Sequence, residues 1–176
     1  MEKKAQIWIE SVLYTLIGLA IIGLLIAVMR PKINQTQDQF VIQQTIRALN
    51  EIDNKILEIK QATGNRRIIE FQLSKGELTI IGDSDRIEWK LLGSTYMYSE
   101  PGSIAWINNM KVMTEKVSDK YDITLTLDYK NKNDLLIDSQ QTSRTLQPAK
   151  TPYSLTVENA GQDSQSKLIK VDFSVQ

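Results

Sequence analysis

From Val12 to Met29 the chain runs for eighteen residues without a charge. A membrane-crossing helix needs about 20 apolar residues, each adding about 1.5 Å. No other stretch constrains the fold as strongly, because a helix this greasy on every side has no place on an ordinary water-facing surface. Glu10 stands at its mouth, in the run Lys3-Lys4-Ala5-Gln6-Ile7-Trp8-Ile9-Glu10. An ionised carboxylate beside hydrocarbon is costly unless it is paired, so its position points to function rather than to plain anchoring. Gly18, Ala20, Gly23 and Ala27 are scattered among Leu and Ile and would let helix backbones approach closely in lipid. Gly18 and Gly23 lie five residues apart, not four, and so do not form a dimer motif. Trp8 and Tyr14 suit an interfacial position near the start of the span.

Pro31 follows the run. It donates no backbone hydrogen bond and crowds the preceding turn, so a kinked helix is expected there, with a helix stop and short linker as the alternative. Beyond it, Ile42, Ile46, Leu49, Ile52, Ile56 and Ile59 recur every three or four residues, with polar residues between them. That period describes one apolar stripe along a helix. It is too short for a free-standing coiled coil and reads as the side of a helix packed on the downstream domain. Residues 6–60 would then form a rod on the order of 80 Å long, ended by Thr63-Gly64-Asn65.

From Arg66 the period changes to two. Ile69, Phe71 and Leu73 alternate with polar residues, as do Ile87, Trp89 and Leu91, and Tyr121, Ile123, Leu125, Leu127 and Tyr129. Further strands are expected near Leu78 and Ile80, Leu135 and Ile137, Tyr153 to Val157, and Ile169 to Val175. Ser74-Lys75-Gly76, Gly82-Asp83-Ser84-Asp85 and Lys130-Asn131-Lys132-Asn133 supply turns. Leu92 to Ile107 is irregular, and Ser139–Lys150 reads as a polar surface connection. One apolar and one polar face per strand suits antiparallel sheets over a single core. The expected class is α+β: a long N-terminal helix, membrane-spanning below and amphipathic above, packed on an antiparallel, sandwich-like head of about seven strands. Trp89 and Trp106 are both expected in the core.

Composition narrows function by exclusion. Lys plus Arg equals Asp plus Glu, so no bulk field favours nucleic acid. Cysteine is absent, which leaves no disulfide framework to infer. Histidine is absent as well, removing the commonest general base and the commonest metal ligand. Ser and Thr are plentiful, but no Gly-x-Ser-x-Gly or Ser-x-x-Lys pattern activates one. Neither a phosphate loop, nor a dinucleotide fingerprint, nor a metal-ligand spacing occurs. Asp83 and Asp85 lack the further ligands of a calcium loop and read as a turn. Arg66-Arg67 reads as solvated. Asn34-Gln35-Thr36 is a glycosylation sequon, relevant only to an exported chain. The chain is expected to be a non-enzyme without metal or cofactor.

The first residues resemble the amino-terminal signal of type IV pilin-like proteins, in the archaeal form called a class III signal peptide. The detailed likeness covers roughly the first fifty residues, including Pro31 and the helix after it; the β-rich part is similar only loosely. The resemblance implies that Lys3 and Lys4 form the basic leader and that a prepilin peptidase cuts between Ala5 and Gln6. Gln6 then becomes the mature amino terminus and Glu10 the fifth residue, the family's assembly glutamate. It also implies a leader of residues 1–5, a helix over 6–60 with a span at 12–29, and an extracellular head over 61–176. The implied function is that of a filament subunit, major or minor, of a pilus-like or archaellum-like fibre serving adhesion or motility. Implied partners are the peptidase, other pilin-like subunits, an assembly platform protein and its ATPase, and the membrane.

Two other readings compete. A secretory signal peptide has an apolar region of about 7–15 residues and a small residue at its cut; this run is longer and ends in Met29. A permanently anchored single-pass protein with a β-sandwich binding or adhesin ectodomain fits the span but gives Glu10 no role. Charge does not orient the span, since Lys3 and Lys4 are matched by Arg30 and Lys32.

Overall fold

The computed structural model describes the backbone of residues 2–175 and the side chains of residues 8–175. The chain divides into two units, Met1–Gln37 and Asp38–Gln176. One helix, α1 (Glu2–Ile59), accounts for the described part of the first unit and opens the second. The helix continues through Pro31 and does not stop there. The proline ring removes one donor, so the Ala27 carbonyl has no helical N–H four residues on.

Within the second unit the apolar stripe does what its period demands. Ile42, Ile46, Leu49, Ile52, Ile56 and Ile59 are all buried, together with Val41. Their side chains join one core with residues from both sheets, including Trp89, Leu125, Leu155 and Phe173. Burying each such side chain contributes roughly 1.5–3 kcal/mol. This half of α1 is therefore held chiefly by its packing, not by helix propensity.

The strands are β1 (Arg66–Phe71), β2 (Glu77–Ile81), β3 (Arg86–Ser94), β4 (Ile104–Ile107), β5 (Met110–Val117), β6 (Lys120–Asp128), β7 (Asn133–Ile137), β8 (Ser143–Leu146), β9 (Tyr153–Gln162) and β10 (Ile169–Val175). They form a four-stranded sheet in the order β1-β9-β10-β7 and a six-stranded sheet in the order β4-β5-β6-β3-β2-β8. The expected α+β class, one long apolar helix followed by sheets rich in antiparallel pairs, is what the chain adopts. One pair departs from that rule: β10 and β7 run parallel, with Val171 opposite Leu135.

Three further departures have local causes. β5 was not expected as a strand; it buries Met110, Val112 and Thr114 on one face, and the polar Thr114 breaks the apolar signal. Thr114 is satisfied inside, its Oγ1 accepting the Ser99 backbone N–H at 3.2 Å. β8 lies within the stretch expected to be only a polar connection, and Leu146 is its sole buried residue. Trp106 is 66% exposed, not in the core. It lies on β4, an edge strand whose alternate residues face outward.

Gly76 shows how tightly one turn is set. Its φ is +74°, and an added Cβ would lie 2.5 Å from the Lys90 carbonyl oxygen and 2.7 Å from the buried Trp89 ring. Gly102, at φ +79°, has open space around it. Gly76→Ala should therefore cost about 2–4 kcal/mol, combining backbone strain with overpacking, whereas Gly102→Ala should cost only about 1–2 kcal/mol. Urea midpoints of the two variants test this, and equal losses would remove the Trp89 contact as the cause.

Candidate functional site

The first unit presents its side chains outward. From Trp8 to Asn34 every residue is exposed except Gly18, which is partly covered. Fifteen large apolar side chains between Trp8 and Met29 are among them, with Leu24 at 68% and Val28 at 69% exposure. At roughly 1.5–3 kcal/mol each, leaving them in water would forfeit on the order of 20–45 kcal/mol. That exceeds the roughly 5–15 kcal/mol that stabilises a typical domain. The segment must be covered by lipid or by protein. The helix is long and apolar enough to cross a membrane, and none of its most apolar window is buried within the chain. It is therefore a candidate membrane anchor. Val12–Met29 at about 1.5 Å per residue spans roughly 27 Å, near the thickness of a hydrocarbon core.

Glu10 is exposed at one end of this surface, and among the described residues no ion pair reaches it. Beyond it, Thr15 turns its hydroxyl back to the Ser11 carbonyl at 2.9 Å. This internal bond lets a polar side chain lie in an apolar surface at little cost. Lys3, Lys4, Ala5 and Gln6 lie outside the residues whose side chains are described. Pro31 lies within the helix, and Asn34 is exposed on it. Asp85 serves the fold: it sits at φ +51° and its Oδ1 accepts the Leu135 backbone N–H at 2.9 Å. Burial pushes its carboxyl up, the Leu135 bond partly offsetting this.

The second unit holds its stretch of helix with buried polar contacts that sequence reasoning passed over. Asp38 is 6% exposed. Its Oδ1 accepts Lys75 Nζ at 2.9 Å, and its Oδ2 accepts both the backbone N–H and the hydroxyl of Thr95 at 2.8 Å. Four turns on, Asp53 accepts the Tyr129 hydroxyl at 2.8 Å and Asn109 Nδ2 at 3.1 Å. At the helix end, Asn159 Nδ2 donates to the Ile59 carbonyl at 3.0 Å, answering one of the carbonyls a helix terminus leaves open. The signal for the two aspartates was present: Asp38 falls four residues before Ile42 and Asp53 four after Leu49, on the stripe itself.

These contacts shift titrations in opposite directions. Burial alone would raise the Asp38 carboxyl, but Lys75 and the Thr95 donors together outweigh it and hold the group below the ordinary carboxylate range. Tyr129 is pushed far up, first by burial and then by the neighbouring Asp53 carboxylate.

Comparison with protein-family models, curated proteins and solved structures found no match to this chain.

Asp38→Ala leaves the Thr95 N–H and the Lys75 ammonium without their acceptor. It should cost about 1–3 kcal/mol by chemical denaturation. Because the folded-state pKa lies below the unfolded one, the Asp38 contribution is present above the unfolded pKa near 3.8 and is lost as pH falls through the lower, folded value. The stability gap between wild type and variant should accordingly narrow in acid. A gap that stays constant from neutral pH to pH ~2 would rule out the charged clasp.

Proposed function

We propose that this chain is a structural subunit of an extracellular filament of the type IV pilus-like or archaellum-like kind, assembled through its N-terminal helix. The observation that carries the reading is the uncharged Val12–Met29 stretch of α1, exposed on all sides, with a carboxylate at its edge. Lipid alone would satisfy the apolar residues. Glu10 gains a role only where a neighbouring protein supplies its counter-charge. In this reading a prepilin peptidase removes residues 1–5, and the freed amine of Gln6 on one subunit pairs with Glu10 of the next. An assembly ATPase and a platform protein would move the subunit from bilayer to fibre, where helix–helix contacts replace lipid contacts. Lys3 and Lys4 would form the basic part of a leader that lies on the cytoplasmic side in this reading. The two sheets, packed as a sandwich-like head with the stripe of α1 against them, would face solvent and provide adhesion or contacts between subunits. Asn34 would be a glycosylation site only if filament packing left it open.

Exposure of the helix is also what a permanently anchored, single-pass protein with a binding ectodomain requires. The two readings differ at the amino terminus. Intact-mass measurement of the protein extracted from its native membrane should show loss of Met1–Ala5 and a chain beginning at Gln6. A mass retaining all five residues would leave the anchored reading standing and remove the filament one.

Glu10→Val separates the pairing claim from processing. The variant should be cut normally yet yield far fewer surface filaments by electron microscopy. Wild-type filament numbers would show that Glu10 does not take part in assembly.

A further inference from the structure

A small cavity lies within the second unit where the end of α1 meets both sheets. Its volume is about 50 Å³, and it is lined by Asp53, Lys60, Asp128, Tyr129, Lys132 and Asn133, among others. Asn133 opens β7 and is fully buried. Its Nδ2 faces the Ile169 carbonyl at 3.5 Å, while its Oδ1 has no hydrogen-bond partner in the protein. Turning the amide over would not help, since Oδ1 would then meet the carbonyl oxygen of Ile169. A buried acceptor left unsatisfied forfeits the hydrogen bond that water gives it in the unfolded chain, so a donor is called for.

The lining decides what kind of donor fits. The lining includes two acidic residues, Asp53 and Asp128, and two basic ones, Lys60 and Lys132. The opposed charges balance, so the site favours neither an anion nor a divalent cation. Asp53 is already engaged by Tyr129 and Asn109. Burial draws the Lys60 ammonium below its ordinary pKa, Asp53 acting in the opposite sense and Lys132 in the same one. Basic residues lining the same cavity as an orphan acceptor call for a neutral molecule that both accepts and donates. Water does so, and it needs only roughly 10–15 Å³ of such space with two to four polar partners.

We propose that this cavity is a hydration site: an ordered water, anchored on Asn133 Oδ1, that joins the end of α1 to both sheets. The water donates to Asn133 Oδ1 and accepts from a lysine ammonium, with the Asp53 carboxylate within the same cavity as a second acceptor. It thus extends the Asp53–Tyr129 contact, between the helix and the residue just after β6, across to β7. The inference does not depend on the filament reading.

A crystal structure of the detergent-solubilised full chain, at a resolution that shows ordered solvent, tests it. The expected result is a single solvent peak about 2.7–3.2 Å from Asn133 Oδ1 and within hydrogen-bond reach of at least one further lining group. Three results would overturn the proposal: a cavity without density, a lysine Nζ bonded directly to Oδ1, or an ion with oxygen contacts of about 2.0–2.6 Å. The same structure of Asn133→Leu should show the peak gone and the Asp53–Tyr129 bond intact. A peak persisting in that variant would mean that Asn133 is not its anchor.

Discussion

A helix that turns apolar side chains outward on every side cannot rest in water, and this constraint governs the whole chain. Its cost, on the order of tens of kcal/mol, exceeds what a domain of this size gains by folding. The first unit therefore cannot be satisfied by the chain alone. Lipid or neighbouring protein must complete it, and function follows from which of them does. Glu10 sharpens the choice, because lipid meets the needs of Leu and Ile but not of a carboxylate.

The second unit solves a different problem with the same helix. There α1 has one apolar stripe, and that stripe is fully buried. Non-directional burial would tolerate some sliding of the helix on its bed. Asp38 with Lys75 and Thr95, Asp53 with Tyr129 and Asn109, and Asn159 with the Ile59 carbonyl each require one register. Hydrogen bonds to buried charges add stability only when satisfied and are costly when broken, so the polar contacts specify where hydrophobic packing only attracts.

The parts of the fold visible in one dimension were those with a clean local period. The helix stripe from Ile42 to Ile59 and the alternation from Tyr121 to Tyr129 are geometric consequences of 3.6 and 2.0 residues per repeat, and both bury as read except Tyr121, which is only half-buried. β5 escaped notice because a buried threonine interrupts its apolar face. β8 escaped because a four-residue edge strand needs little apolar surface. Trp106 was misplaced because residue type says nothing about whether a strand lies inside a sheet or at its rim.

The sequence by itself determined that an apolar span precedes a one-sided helix, that a β-rich domain follows, and that an acidic residue guards the span. Each is a matter of local period or composition, and local physics suffices to read it. Only the tertiary structure decided which partners the buried polar residues meet, which strand runs parallel, and where an amide is left wanting a donor. Asp38 and Lys75 are 37 residues apart, and Asn159 lies 100 residues from Ile59. Nothing in a local window reports a contact across such distances, because the folded core alone brings those groups together and withdraws the water they would otherwise bind.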